Sequence, residues 1–271
     1  MKSKGIDVSY HNGVIDWSEL KDKIDFAMIR CGYGQNNLDK QFKNNTRGCE
    51  TYNIPYGVYW FSYALNENMA RQEADYCCDA VKNNNILYPI AFDFEYGSEN
   101  YAKKHGINFS KEDRVKMAKA FLNRVEERGY YPLLYANEDY IKNRGYDKLI
   151  GLYDLWYARW NNKPNPAREC DMWQYGGEKI GKLELVDVNW CYKDYPSIIN
   201  PYYNIHDLDE QTILRIIHNS DLYYLNRDYI NLAYDIINGV YGAGIERKEK
   251  VEELGFNYEI AQSVVNTILH L

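Results

Sequence analysis

Apolar residues recur over the first 195 positions in two alternating textures. Eight short runs, KGIDVSY, DFAMIRCGYG, IPYGVYWFSYA, YPIAFDFEYG, YPLLYAN, DLWYARW, CDMWQYG and LELVDVNW, are dense in β-branched and aromatic residues and are bounded by Gly, Pro or Asn. These read as strands. Between several of them lie stretches with helical periodicity, NENMARQEADYCCDAVKNN and SKEDRVKMAKAFLNRVEERGY, the second opening on a Ser cap and ending at Gly129. Such alternation predicts an α/β fold, an irregular, mostly parallel (β/α)8-like barrel over residues 1–195. The texture then changes. Pro196 and Pro201 interrupt a polar and aromatic stretch, so 196–226 reads as a linker. Residues 227–271 return to a helical period through Leu232, Ile236 and Ile237, then Val251 and Leu254, then Ile260, Val264, Val265 and Ile268. Short helices separated by Gly-containing turns predict a small three-helix bundle.

One strand-like run carries an anomaly. In PIAFDFEYG, Asp93 and Glu95 sit two residues apart, which on a strand places both carboxylates on one face. An unpaired buried carboxylate is costly, so the pair calls for a use. Barrel chemistry gathers at the C-terminal ends of the strands. Asp7 in the first run and Asp187 in the last occupy comparable positions. Asp16, Asp25 and Asp147 read instead as surface or cap acids. Two close carboxylates repel as anions, which raises one pKa and keeps a proton at hand. That is what glycoside hydrolysis requires: an acid for the leaving oxygen and a second group for the oxocarbenium-like centre. Where the sugar bears an N-acetyl group, the Asp can orient the acetamide so that its own oxygen attacks, with Glu95 as proton donor.

Composition narrows the alternatives. The chain has 32 basic and 39 acidic residues and a net charge of -7, which argues against a nucleic-acid partner. No run of about 20 apolar residues occurs, so membrane insertion is not expected. MKSKGIDVSYHNG lacks a signal-peptide core, and the expectation is synthesis in the cytoplasm. The six cysteines show neither C-x-x-C spacing nor a secreted framework and read as reduced thiols. Neither a metal site nor a cofactor fingerprint is present: there is no H-E-x-x-H, no zinc spacing, and NGVYGAGIERK fits no phosphate loop. Tyr is in excess at 28 residues, alongside six Trp, which suits either sugar stacking or an AT-rich codon bias.

Asp-x-Glu alone is a weak motif, and its setting decides. GIDVSYHNGVIDW, FAMIRCGYG, YGVYWFSYA, PIAFDFEYG, LYAN, LWYARW, MWQYG and VDVNW resemble, in order and spacing, the signature segments of glycoside hydrolase family 25, the Chalaropsis-type lysozymes common among phage endolysins. The resemblance spans roughly residues 4 to 192. It implies cleavage of the β-1,4 bond between N-acetylmuramic acid and N-acetylglucosamine of peptidoglycan, with Asp7, Asp93, Glu95 and Asp187 as the catalytic acids. Tyr59, Tyr135, Trp156 and Gln174 are the candidates for substrate contact, though each also reads as a packed barrel residue. One departure is visible: many relatives place a His after the Tyr of the third strand, where this chain has Tyr59, Trp60 and Phe61.

The tail, LAYDIINGVYGAGIERKEKVEELGFNYEIAQSVVNTIL, resembles the cell-wall-binding repeat of choline-independent phage lysozymes, which implies muropeptide recognition around Gly242, Gly244 and Arg247. A single copy is present, so avidity would have to come from the barrel or from self-association. The resemblance implies an enzyme released onto the wall of a Gram-positive host through a holin-type lesion. Two other readings stand beside it. A family 18 chitinase would want further acids where this chain has Tyr88 and Ala91, and a non-catalytic wall-binding protein would have no need of all four acids.

Overall fold

The computed structural model describes residues 2–160, 166–203, 226–237, 239–242, 244–258, 261–262 and 265. The eight predicted strands all form, as β1 (Ser3–Val8), β2 (Phe26–Tyr33), β4 (Tyr56–Phe61), β5 (Ile90–Asp93), β6 (Pro132–Asn137), β7 (Asp154–Ala158), β8 (Met172–Ile180) and β9 (Leu183–Cys191). A two-residue strand, β3 (Asn37–Leu38), adds to the edge of β2 and is invisible in the apolar pattern because both residues are exposed. The sheet runs β1-β9-β8-β7-β6-β5-β4-β2-β3, and pairing of β1 with β2 closes the eight longer strands into a barrel. Pairing is parallel from β1 through β2, β4, β5, β6 and β7 to β8, whereas β9 is antiparallel to both β8 and β1. That hairpin is what makes the barrel irregular.

Strands covered on both faces must be apolar throughout. β5 is buried along its whole length, and β2 along all but its last residue. The outer layer comprises α1 (Phe42–Thr51), α2 (Glu67–Val81), α3 (Tyr96–Lys104), α4 (Lys111–Glu127) and α5 (Glu138–Asn143). Their starts follow capping chemistry. Asn66 Oδ1 accepts the Met69 N–H at 2.9 Å, and Ser110 Oγ accepts that of Asp113 at 3.2 Å. α2 buries Ala70, Ala74, Cys77, Cys78 and Val81, so the adjacent thiols pack as small apolar groups, and all six cysteines are free. Ion pairs from Arg71 to Glu127, and from Arg124 and Arg128 to Asp75, tie α2 to α4 on their outer side. Part of the aromatic excess is core: Trp60, Trp156, Trp173, Tyr56, Tyr140, Tyr146, Tyr157 and Tyr195 are all fully buried.

The chain divides into two compact units, Met1–Pro196 and Ser197–Leu271. Helix α6 (Tyr195–Tyr203) covers the start of the segment read as a linker, with Pro196 in its first turn, where a missing N–H costs nothing. The rest of that segment, 204–225, lies outside the described residues. In the second unit α7 (Asn226–Ile237) and α8 (Gly244–Glu253) enclose a cluster of Leu232, Ala233, Ile236, Val251, Ala261 and Val265. Leu254, expected in this core, is exposed. Ile260, Val264 and Ile268 lie outside the described residues. No described helix is long and apolar enough to cross a membrane.

Candidate active site

Strand register brings the predicted acids to one end of the barrel. Asp7 on β1 stands directly opposite Asp187 on β9. Asp93 is the last residue of β5 and pairs with Tyr135 on β6, which pairs in turn with Trp156 on β7. Glu95 departs from the expectation. The strand stops at Asp93, and Glu95 is the residue before α3, with extended φ and ψ of -128° and -172° and its N–H donating to Ser98 Oγ at 3.2 Å. Phe94 between them is buried against Phe92, Phe109 and Tyr140 and turns the chain inward, so Asp93 and Glu95 remain within electrostatic reach of each other. Placing Glu95 before a helix N-terminus adds a dipole that favours its anion.

A side-chain network joins these groups. Gln174 Nε2 and Asn189 Nδ2 both donate to Asp7 Oδ2, at 3.0 and 2.8 Å. Gln174 Oε1 accepts from Tyr135 Oη at 3.1 Å and from Trp160 Nε1 at 3.3 Å, while Asn189 Oδ1 accepts from Trp156 Nε1 at 2.8 Å. The indole donors leave no freedom in how the two amides are oriented. Tyr59, half-buried on β4, meets the Trp156 ring edge-on at 6.0 Å. On β2, Arg30 pairs with Asp39 at 2.8 Å beneath the ring of Tyr10, and its Nη2 is buried without a partner.

Every one of the four acids is pushed toward its protonated form. Burial and the Asp187 charge raise Asp7 to about 7, against the pull of Asn189 and Gln174. Burial, then Glu95 and Asp7, hold Asp93 well above the usual carboxylate range, with Arg30 opposing. Glu95 is raised by burial and by Asp187, with the neighbouring Tyr135 hydroxyl opposing. Burial raises Asp187. Such a set cannot ionise together and titrates as a unit, retaining protons near neutral pH. Asp93 Oδ1 is buried and has no hydrogen-bond partner within the protein. Among the described residues no three His, Cys, Asp or Glu side chains are placed to hold a metal ion.

Three participants, Asn189, Arg30 and Trp160, are not among the candidates read from the sequence, and only the first could have been. Asn189 is within its reach, since it lies two residues after Asp187 and shares its face of β9. Arg30 and Trp160 give no such signal: the first pairs with a residue on a different turn of chain, and the second lies past the end of β7. In the second unit Gly242 and Gly244 adopt positive φ of 73° and 61°, a conformation open to glycine. Arg247 Nε donates to Gly242 O at 3.0 Å and Nη1 to Gln262 Oε1 at 3.4 Å, so it braces the turn that carries it.

Residues 6–181 match the family model for glycosyl hydrolases family 25. The chain belongs to that family. Residues 231–269 of this family 25 chain match the CW_7 repeat model. Among solved structures it is similar to the modular autolysin LytC from Streptococcus pneumoniae, at 27% identity and a TM-score of 0.60, covering 70% of this chain and 47% of that one. It is also similar to a family 25 glycosyl hydrolase from Bacillus anthracis, at 25% identity and a TM-score of 0.55, covering 73% and 92% of the two chains. The catalytic domain of endolysin ply40 from bacteriophage P40 of Listeria monocytogenes matches at 25% identity and a TM-score of 0.60, covering 73% and 97%. The chain thus spans about half the length of the modular autolysin. No curated protein matches it significantly.

Proposed function

We propose that this family 25 hydrolase is an N-acetylmuramidase that cuts the β-1,4 bond between N-acetylmuramic acid and N-acetylglucosamine of peptidoglycan. One observation carries the reading: four carboxylates from β1, β5, the start of α3 and β9 sit within electrostatic reach of one another, each raised toward its protonated form. Glu95, pushed toward its protonated form by burial and Asp187, gives its proton to the leaving glycosidic oxygen. Asp93 turns the acetamide so that its oxygen attacks the anomeric carbon, and the unpartnered Oδ1 supplies an acceptor for the acetamide N–H. Asp187 stabilises the positive charge developing on the ring, and Asp7 tunes the other three. Tyr59, Tyr135, Trp156 and Gln174 shape the pocket around the sugar. The LytC structure solved in complex with a synthetic peptidoglycan ligand supports the substrate class.

In this reading the C-terminal repeat holds the enzyme to the wall through the turn at Gly242 and Gly244 and the remaining donors of Arg247, with self-association supplying avidity. The similarity to endolysin structures supports a phage lysin acting on a Gram-positive wall after release from the cytoplasm. The test is Glu95→Gln on purified walls, with released fragments identified by mass spectrometry. The expected loss is about 100-fold to 10,000-fold, with the fold intact, because the near-isosteric amide has no acidic proton. Asp93→Asn and Asp187→Asn should be severely impaired, and Asp7→Asn less so. Half the wild-type rate in Glu95→Gln, or fragments with N-acetylglucosamine at the reducing end, would reject the assignment. Wall binding without any cleavage would leave the non-catalytic alternative.

A further inference from the structure

Tyr135 has one hydroxyl proton and two acceptors. Its Oη lies 3.1 Å from Gln174 Oε1, and the Glu95 carboxyl faces the same hydroxyl, whose donation would lower its pKa. The orientation of Gln174 is not negotiable. Trp160 Nε1 can only donate, so the atom it meets at 3.3 Å is the amide oxygen, and the amide nitrogen must be the atom 3.0 Å from Asp7. Facing that oxygen, the Tyr135 hydroxyl donates to Gln174 and turns its lone pairs toward Glu95. A protonated Glu95 can donate to those lone pairs. A Glu95 carboxylate cannot, and it would confront a second acceptor.

We propose that the Tyr135 hydroxyl is a two-position donor, held on Gln174 while Glu95 carries its proton and turned onto Glu95 once that proton has been given to the leaving oxygen. The movement is a rotation about one C–O bond. No covalent bond changes, and the only proton transferred is the one that Glu95 gives to the substrate. Turning costs little at Gln174, because Trp160 remains as a donor to the same oxygen. The anion formed by proton donation thus gains a hydrogen bond that the acid form did not receive, which places the stabilisation after the ground state. Other charges facing Tyr135 are Asp93 from β5, Asp7 from β1 and Asp187 from β9, all of which disfavour its own ionisation and keep the phenol neutral. Arg30 on β2 faces Tyr59 and Asp93. Tyr135 is therefore a positioning residue for the acid, over and above any contact with the sugar.

The inference rests on Glu95 being the acid, so Glu95→Gln is run beside the two informative variants in the full chain. Substrates are walls and soluble glycan oligomers, and kcat and KM are measured across pH. In Tyr135→Phe the ring stays and the donor is lost. The expected result is a fall in kcat of about 10-fold to 100-fold, the scale of one hydrogen bond to a charged group, with KM within about twofold. The alkaline limb should move to higher pH, because the Glu95 anion has lost its donor. In Gln174→Met the competing acceptor is gone and Tyr135 is free to donate to Glu95 at all times. The alkaline limb should then move to lower pH, while loss of one donor to Asp7 moves the acidic limb upward. Opposite displacement of the alkaline limb is what neither a substrate contact nor a structural role would produce. Displacement in one direction in both variants, or a raised KM with kcat intact in Tyr135→Phe, overturns the proposal. If Glu95→Gln is inactive and Tyr135→Phe is indistinguishable from wild type, the switch fails alone. If Glu95→Gln is active, the assignment of the acid fails.

Discussion

Both amide donors reach the same oxygen of Asp7, and this detail sets how the site titrates. A carboxylate with two N–H partners is favoured as an anion, yet burial and Asp187 still hold Asp7 near 7. The balance is therefore fine enough to move with one atom. Asn189→Asp keeps an oxygen for Trp156 Nε1 and replaces the donor to Asp7 with another acid, so Asp7 should be raised further. The acidic limb of the rate profile should move to higher pH, and below that limb the rate should fall about tenfold for each pH unit the limb has moved. A profile superimposable on wild type would show that Asn189 is only packing. At this scale the sequence is readable where an acid interrupts a strand of the barrel, as for Asp7, Asp93 and Asp187. It is silent about Gln174 donating to Asp7, since the two lie 167 residues apart and meet only when the barrel closes.

Elements are legible where burial dictates composition. β2 and β5 are covered on both faces and so read as mostly apolar runs, broken only by Arg30 and Asp93 where they reach the site, while β3, exposed and two residues long, gives no pattern. The end of β5 is hidden from the sequence because extended backbone continues through Glu95, and the Glu95 and Ser98 contact that opens α3 resembles a strand leaving the barrel. A further buried acid has no signal in the apolar pattern. Glu73 on α2 is inaccessible to solvent and accepts the Tyr63 N–H at 3.0 Å, anchoring the segment that leaves β4. Burial raises it to about 8. The folded state thus holds a proton that the unfolded chain releases near pH 4.5, and stability falls as pH rises from there toward 8. At about 1.4 kcal/mol per pH unit, the loss accumulates to an order of a few kcal/mol. Glu73→Gln keeps the oxygen that Tyr63 needs and has nothing to ionise. It should melt close to wild type at about pH 5 and clearly above it at about pH 8, by calorimetry. Parallel stability curves across that range would show that Glu73 is not the group responsible.

The molecule as a whole joins a large barrel to a small helical unit, and the two differ in what they can sustain alone. The barrel encloses its own core and all of the proposed acids within Met1–Pro196. The second unit contributes a described cluster of six buried residues of its own. Ending the chain after Tyr203 should therefore leave a folded barrel with the main thermal transition of the full protein and undiminished turnover of soluble glycan oligomers. Clearing of intact cells is a different matter, because a wall-held enzyme works at a raised local concentration. At low enzyme concentration the truncated chain should clear cells more slowly, on the order of tenfold. Full-length Arg247→Ala should fall between the two, since Arg247 braces the Gly242 turn and offers its remaining donors from it. Competition then separates recognition from stickiness: soluble muropeptide should reduce binding of the full chain to sacculi, and choline should not. Clearing by the barrel alone at the rate of the full protein would deny the helical unit a role at the wall. Loss of activity on soluble oligomers would instead show that the barrel depends on it.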